Sequence, residues 1–252
     1  MTDTVLFNKS GHVARIVLNN PAKHNSLGEA ELAAIQAHVA AVNADPDVRV
    51  LVVTGMGEKT FCAGAALNQL GSGRISSDFF QSTTDQLAAV RVPSICALNG
   101  NVFGGGVELA LSCDFRIGIA GSRLRVPAAQ IGLCYPLSGI NRFVERLGVN
   151  LAKRILVAAE EFDAAAMLHI GFLDHLVERD ALETSTHEMA HSIAGLAPLA
   201  VQAMKQILQQ AAAGSIDMAS AQALSQQCAN SDDLQEGFAA QREKRPPQFS
   251  GK

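Results

Sequence analysis

The residue with the clearest chemical potential is Glu108, which closely follows three consecutive glycines, Gly104–Gly106. Adjacent glycines cost backbone entropy and bury no side chain, so they indicate a main chain that comes close to another group. They open a segment of helical composition, and the unpaired N–H groups of a first helical turn suit an anion or an oxygen that becomes one. A carboxylate in that turn can reach back toward the bound group. The pattern predicts an oxyanion site with an acid or base beside it.

This stretch also has a purely structural interpretation, in which the glycines let a helix pack tightly on a sheet. A second run of small residues, 61–67, follows another predicted strand and has the same two interpretations. Neither run decides the function alone.

The elements that must position these residues alternate along the chain. Apolar runs predict strands at 13–18, 49–54, 95–98 and 115–120. Helical periodicity predicts helices within 25–43, 79–90, 107–112, 151–159, 162–169, 182–194, 198–213 and 218–229. The intervening segments 70–78 and 130–139 are predicted to be loops, the first of them mobile. The pattern is that of an α/β protein with a helical C-terminal third.

Composition limits the possible classes of function. The chain has 252 residues, 48% hydrophobic residues and a formal net charge of −4. Such a chain can fill a large core, and its scattered cations argue against nucleic acid as a partner. No segment has the pattern of a signal peptide or a membrane span, so we expect a cytoplasmic protein. Five cysteines without paired spacing are expected to be reduced, buried thiols.

The segment 187–191 reads His-Glu-Met-Ala-His on a predicted helix. This spacing can place two imidazoles on one helix face to bind zinc, as in metallopeptidases. However, Ala194 stands where the extended motif has glycine, and no acidic residue follows until Asp217. We therefore expect no metal, and a zinc peptidase is the last of the alternatives.

Several separate motifs, in the right order, resemble the crotonase family, the enoyl-CoA hydratase and isomerase superfamily. In chain order they are Asn20–Leu27, Phe61–Leu67, Asn99–Ala110, Cys113–Asp114, Ala197–Ala200 and Glu236–Pro246. The resemblance covers nearly the whole chain. It implies a crotonase-like spiral of ββα units over residues 1–195, followed by a C-terminal helical trimerisation arm over 196–252. It also implies homotrimers or hexamers built as dimers of trimers.

The same resemblance implies an acyl-CoA thioester substrate, with coenzyme A as part of the substrate and no separate cofactor. It places the oxyanion-hole N–H donors on Ala65 and Gly105 and the acid/base on Glu108. The contacts to coenzyme A that it implies are Lys23, His24, Ser26, Leu27, Ala63 and Leu67, with Phe238 and Lys244 from the arm.

The chain also departs from the family pattern. Hydratases of this family have a second glutamate after a proline, where this sequence has Ala128, and Ala66 replaces the usual aspartate. Tyr135 and the residues after it resemble the methylmalonyl-CoA decarboxylase branch, although that branch has histidine where Ala65 stands. These departures leave the exact reaction open.

Three interpretations follow from the resemblance. The first is a lyase or isomerase of the enoyl-CoA hydratase/isomerase type, in which Glu108 is the single acid/base. The second is decarboxylation of a malonyl-type thioester, with Tyr135 steering the carboxylate. The third is a protein that binds CoA thioesters with negligible turnover.

Overall fold

The computed structural model describes residues 3–252. The strands are β1 (Val5–Ser10), β2 (Val13–Leu18), β3 (Val50–Gly55), β4 (Thr60–Cys62), β5 (Ser94–Leu98), β6 (Asn101–Phe103), β7 (Phe115–Ile119), β8 (Arg123–Arg125), β9 (Phe162–Asp163) and β10 (His175–Val177). The helices are α1 (Glu29–Ala44), α2 (Leu67–Gly71), α3 (Ser77–Ala88), α4 (Gly105–Leu111), α5 (Leu137–Leu147), α6 (Val149–Leu156), α7 (Ala164–His169), α8 (Leu182–Ala194), α9 (Pro198–Ala212), α10 (Met218–Ala229) and α11 (Asp232–Glu243).

The strands form two sheets, and from β3 to β8 successive strands alternate between them. The larger sheet has the order β1-β2-β3-β5-β7-β10, and the smaller has the order β4-β6-β8-β9. Strands β3, β5 and β7 each precede a partner in the smaller sheet, and neighbours within each set are parallel. Each pair of strands is followed by helical structure, so the chain repeats a ββα unit. The expected spiral of ββα units with a helical C-terminal region is confirmed.

The central strands β3, β5 and β7 of the larger sheet are largely buried on both faces, which explains their continuous apolar runs. Alternate residues of β3 point to opposite faces. Leu51 and Val53 belong to the core cluster that includes the buried face of α1, whereas Val50 and Val52 pack with residues of α8.

The structure corrects several predicted elements. Strand β1 pairs antiparallel with β2 and was not predicted. Its last four residues are exposed, so the strand lacks the long apolar run by which the other strands were recognised. Helix α2 takes the start of the predicted loop 70–78, and α5 begins inside the predicted loop 130–139. Helix α11 follows α10 and was not predicted. Ser231 caps its N-terminus, where the hydroxyl accepts a hydrogen bond from the N–H of Leu234.

Partly buried polar contacts join α9 and the end of the chain to the preceding elements, and join α11 to the end of the chain. Lys205 on α9 reaches Asp114, and the Arg49 guanidinium donates to the carbonyl of Phe249 near the end of the chain. Asp233 on α11 accepts from the N–H groups of Ser250 and Gly251. The division at 195/196 and the role of the helices in trimerisation remain predictions.

Within residues 3–252, no helix combines the length and apolar character needed to cross a bilayer. The cytoplasmic location remains a prediction.

Candidate active site

The glycine stretch is the start of α4, two residues earlier than predicted. Helix α4 begins at Gly105, directly after Gly104, whose φ of +51° lies in the left-handed region. The Gly105 N–H has no acceptor among residues 3–252, as expected for the first position of a helix. A β-carbon on Gly105 would overlap the Phe80 ring, and one on Gly106 would lie 2.5 Å from the carbonyl oxygen of Cys62. These glycines therefore provide both a close approach and a free donor.

The second run of small residues, 61–67, meets the turn of residues 20–27. The N–H of Leu27 donates to the carbonyl of Gly64 at 2.8 Å, and the N–H of Ala66 donates to the carbonyl of Leu27 at 2.9 Å. Between these bonds Leu27 forms a parallel β-bridge with Ala65. The N–H of Ala65 itself has no acceptor among the described residues.

The two small-residue segments contact each other at Gly64. This residue has φ +84°, and a β-carbon added to it would lie 2.5 Å from the backbone nitrogen of Gly105. Because Ala65 is the next residue, the two amides named from the resemblance belong to segments in direct contact. That contact is the condition a shared oxyanion site requires.

Glu108 lies in the first turn of α4 with only 1% of its surface exposed. Its Oε1 accepts from Nη1 of Arg142 at 2.9 Å and from Oγ1 of Thr84 at 3.0 Å. Arg142 extends from α5, and Thr84 lies on α3. The carboxylate is therefore held by two helices other than its own.

Burial raises the pKa of the Glu108 carboxyl above the ordinary glutamate value, because the charged form is poorly solvated. The Arg142 charge and hydrogen bonds to the carboxylate oppose that rise. A carboxyl with a raised pKa is a stronger base when ionised, which suits transfer of a proton to and from a weakly acidic carbon.

Tyr135 lies beside this carboxylate. Its ring is partly exposed and packs edge-on against Phe143, with 5.6 Å between ring centroids, while its hydroxyl is buried. Burial and the neighbouring Glu108 charge raise the Tyr135 pKa well above its usual value. The hydroxyl is close enough to Glu108 to perturb it, yet it makes no hydrogen bond of ordinary geometry. A buried hydroxyl without a partner costs free energy unless a bound molecule satisfies it.

Gly139 makes room for this pair. A β-carbon at Gly139 would lie 2.9 Å from the Tyr135 ring and 3.0 Å from Oε2 of Glu108. The absence of a side chain there is what lets the tyrosine and the carboxylate meet.

A cavity of about 430 Å³ lies beside the turn of residues 20–27 and the segment 61–67. His24 and Ala63 line it, and the His24 ring is 3.0 Å from Oγ1 of Thr60. Its remaining charged residues are Glu58, Lys59, Arg123 and Arg179. The three cations make this a cavity suited to an anionic group.

The other predicted contact residues are distributed unevenly. Lys23 is exposed in the turn, Ser26 is half-buried next to it, and Leu67 is exposed at the start of α2. Phe238 is 59% exposed on α11 and Lys244 ends that helix. Within residues 3–252, neither arm residue makes a hydrogen bond or ion pair with the site.

Some functional candidates were missed by sequence reasoning. Thr84, Asp85 and Arg142 surround Glu108, although they come from segments distant along the chain. Arg142 lies in the amphipathic helix α5, and nothing in the neighbouring sequence predicts that this arginine is buried. Ala128 stands where the sequence comparison with the family expects a second glutamate. It is 7% exposed and belongs to the apolar core cluster.

The His-Glu-x-x-His segment lies on α8, where the rings of His187 and His191 are 4.0 Å apart between centroids. No group of three potential metal ligands occurs among residues 3–252. Of the cysteines, Cys62, Cys96 and Cys113 are buried as expected, whereas Cys134 is exposed.

Comparisons with known proteins identify the family. Residues 8–252 match the model of the family described as enoyl-CoA hydratase/isomerase. The chain is 30% identical over 251 residues to the short-chain-enoyl-CoA hydratase of Clostridium acetobutylicum, covering 96% of each chain. It is 32% identical over 252 residues to the (E)-benzylidenesuccinyl-CoA hydratase of Thauera aromatica, covering 96% of this chain and 97% of that one.

The fold is also similar to that of a solved protein. The crystal structure of an enoyl-CoA hydratase from Bacillus anthracis aligns with a TM-score of 0.91 at 28% identity, over 99% of this chain and 100% of the other. The order of the motifs, the fold and the family model agree over nearly the full length, and the chain therefore belongs to the enoyl-CoA hydratase/isomerase family.

Proposed function

We propose that this protein is an acyl-CoA thioester-processing enzyme of the hydratase or isomerase type. In this proposal the N–H groups of Ala65 and Gly105 hold the thioester oxygen while it becomes an enolate oxygen. Glu108 takes the proton from, or returns it to, the carbon next to the thioester. The observation that carries the proposal is a buried carboxylate in the first turn of the helix whose first N–H is unpaired and in contact with the Ala65 segment.

Energetics support this division of roles. A fixed donor aimed at a developing oxyanion contributes about 3 kcal/mol to transition-state stabilisation. A positioned acid or base typically contributes about 10²- to 10⁴-fold in rate. Two backbone donors and one carboxylate are therefore sufficient for substantial enolate chemistry.

Coenzyme A recognition is proposed for the turn of residues 20–27 and the adjoining cavity. Hydrogen bonds fix this turn to the segment 61–67 that carries Ala65. Lys59, Arg123 and Arg179 around the cavity offer charge for phosphate groups. Lys23, His24, Ser26, Leu27, Ala63 and Leu67 are the proposed contacts, with Phe238 and Lys244 supplied by the arm. No cofactor other than the coenzyme A of the substrate is proposed.

One carboxylate limits the choice of reaction. Double-bond migration needs one base that removes a proton and returns it, and Glu108 can do both. Addition of water needs a group that orients the water, and the buried Ala128 cannot provide a second carboxylate. Hydration is therefore expected to be the slower of the two reactions, and classification as a lyase remains a prediction.

Decarboxylation of a malonyl-type thioester is the second candidate, favoured by the buried, unpartnered hydroxyl of Tyr135. In that reaction the bond to the carboxylate breaks and carbon dioxide leaves. The electron pair of the broken carbon–carbon bond stays with the thioester and forms an enolate, which then takes up a proton. Tyr135 would orient the departing carboxylate.

A thioester panel followed by mass spectrometry in deuterated water tests these possibilities. Hydration adds water, decarboxylation removes carbon dioxide, and isomerisation leaves the heavy-atom composition unchanged, so that the isomers are distinguished by their chromatographic separation. Glu108→Gln is the matched control. Tight binding of coenzyme A thioesters without any reaction would instead identify a binding protein, and absence of binding would overturn the proposal.

Assembly into a homotrimer, or a hexamer formed from two trimers, is also proposed. Met204 and Leu208 on α9 are exposed apolar residues of the kind that a neighbouring subunit would cover. Analytical ultracentrifugation tests this, and a monomer at micromolar concentration would contradict it.

A further inference from the structure

One guanidinium connects Glu108 with the protein surface. Arg142 donates through Nη1 to Oε1 of Glu108 at 2.9 Å and through Nη2 to Oδ1 of Asp85. The Arg142 and Glu108 side chains are buried, whereas that of Asp85 is 49% exposed. A single positive charge is therefore shared between an internal carboxylate and one in contact with water.

Thr84 holds the same oxygen. Its Oγ1 lies 3.0 Å from Oε1 of Glu108 and 3.0 Å from the carbonyl of Gln81, and its one proton can serve one of them at a time. Nη1 of Arg142 also donates to Oγ1 at 3.2 Å. An ionised carboxylate is a stronger acceptor than a carbonyl, so the hydroxyl serves Glu108 while that residue is charged.

The other oxygen of Glu108 is free. Among residues 3–252 no group donates a hydrogen bond to Oε2, which faces the space left by Gly139 and the Tyr135 ring. The two oxygens are therefore chemically different: Oε1 accepts two hydrogen bonds, and Oε2 retains its lone pairs.

We propose that Arg142 and Thr84 are positioning residues that hold Oε1 of Glu108, so that Oε2 is the atom that exchanges a proton with the substrate. Asp85, at the other end of Arg142, sets how strongly the guanidinium acts on Glu108. The inference rests on the proposed acid/base role of Glu108. When Oε2 takes a proton, Oε1 keeps both donors, and the side chain keeps its orientation for the return transfer.

The charges around the carboxylate predict the direction in which the pKa of Glu108 moves when each neighbour is replaced, and this direction can be tested. Arg142 lowers the pKa of Glu108, while the negative charge of Asp85 raises it. The Cys62 thiol of β4 accepts from the N–H of Gly64, and burial raises its pKa to about 12, so it stays neutral at physiological pH.

The experiment compares Arg142→Met with Asp85→Asn. The pH profile of kcat/KM is measured with whichever thioester the wild-type protein converts, and the infrared carboxyl band of Glu108 is titrated by subtraction of Glu108→Gln. Loss of the Arg142 charge should move the acid limb and the infrared titration upward by about one pH unit or more. Loss of the Asp85 charge should move both downward by a smaller amount.

Thr84 provides a matched pair of substitutions. Thr84→Val keeps the shape and removes the hydroxyl, and it should lower kcat/KM about tenfold, since a hydrogen bond to a charged group is lost. Thr84→Ser keeps the hydroxyl and should restore most of that activity.

Shifts of the same sign in Arg142→Met and Asp85→Asn, or no shift in either, would overturn the inference. If Arg142→Met does not fold, Arg142→Lys replaces it: a lysine keeps the charge but cannot span both carboxylates, so a smaller upward shift is expected. Infrared shifts of the expected signs together with full activity of Glu108→Gln would instead refute the proposed function, and the positioning role with it.

Discussion

Two carboxylates, the buried Glu108 within α4 and the partly buried Asp114 just after it, each pair with a cation, yet they differ in how completely they are satisfied. Oδ2 of Asp114 accepts from the N–H of Ser94 at 2.8 Å, from the Ser94 hydroxyl at 3.0 Å and from Nζ of Lys205 at 2.6 Å. Glu108 pairs with Arg142 through one oxygen only and lies next to an unpartnered hydroxyl.

We expect this difference to separate a structural charge, that of Asp114, from a reactive one, that of Glu108. The Asp114 carboxylate connects β5 to α9, because it accepts from Ser94 on β5 and from Lys205 on α9, and Lys205 also donates to the carbonyl of Val92 at 2.8 Å. Glu108 keeps an oxygen free, and burial raises its pKa. A satisfied carboxylate stabilises a fold, whereas a partly satisfied one remains available for chemistry.

The largest effect is expected from Glu108→Gln. The amide keeps the shape but cannot accept and return a proton, so turnover should fall by about 10²- to 10⁴-fold. Glu108 should also affect the pH dependence of the free energy of unfolding. A carboxylate in an ordinary ion pair has a lowered pKa and stabilises the fold as the pH rises, and the opposite is expected here. Since the folded-state pKa is raised, the wild-type protein loses stability relative to this variant as the pH rises above the ordinary glutamate pKa. Urea unfolding at acidic and neutral pH measures this, and unchanged turnover would remove Glu108 from the mechanism.

The next effect concerns the contact between the two amide-bearing segments. Gly64→Ala adds a methyl group that would lie 2.5 Å from the Gly105 nitrogen, so it should displace a donor and lower turnover by about 10²- to 10³-fold. Gly11→Ala is the control, because Gly11 also has a positive φ, of +55°, but has nothing within 4 Å of the added carbon. Equal losses of activity in the two variants would show that backbone strain, and not the site, explains the result.

Asp114→Asn tests the structural half of the comparison. It removes one charge of a partly buried pair, and we expect the free energy of unfolding to fall by about 2 kcal/mol, below the range for fully buried pairs because Asp114 retains some contact with water. Turnover per folded molecule should not change. Thermal and urea unfolding measure the first quantity, and a large loss of kcat in the folded variant would contradict the separation of roles.

The smallest effect on stability is expected from Tyr135→Phe. Because the hydroxyl is buried without a partner, its removal should leave stability unchanged or increase it by about 1 kcal/mol. Activity should fall if a bound acyl group uses the hydroxyl. Loss of carbon dioxide release from a malonyl-type thioester in this variant would favour decarboxylation, and full activity with every thioester would exclude Tyr135 from the reaction.

Local patterns predicted much of the architecture. The apolar runs of β3, β5 and β7 were visible because strands buried on both faces carry few polar residues. Strand β1 was missed because its buried residues are few, and α11 was missed because its sequence is mostly polar. Glu108 and the small-residue runs were selected because several motifs in family order supported them together, since each run alone also has a structural interpretation.

The sequence alone determined the family to which the order of its motifs points, and it predicted which residues would carry the chemistry: the glycines, the carboxylate and the tyrosine. Tertiary structure alone decided which of them meet and what surrounds them. Contacts of Arg142, Thr84 and Asp85 with one another and with Glu108 depend on how α3, α4 and α5 pack, and no spacing along the chain encodes that packing. A buried charge is set by its three-dimensional neighbours, since solvation and Coulomb interactions act through space and not along the chain.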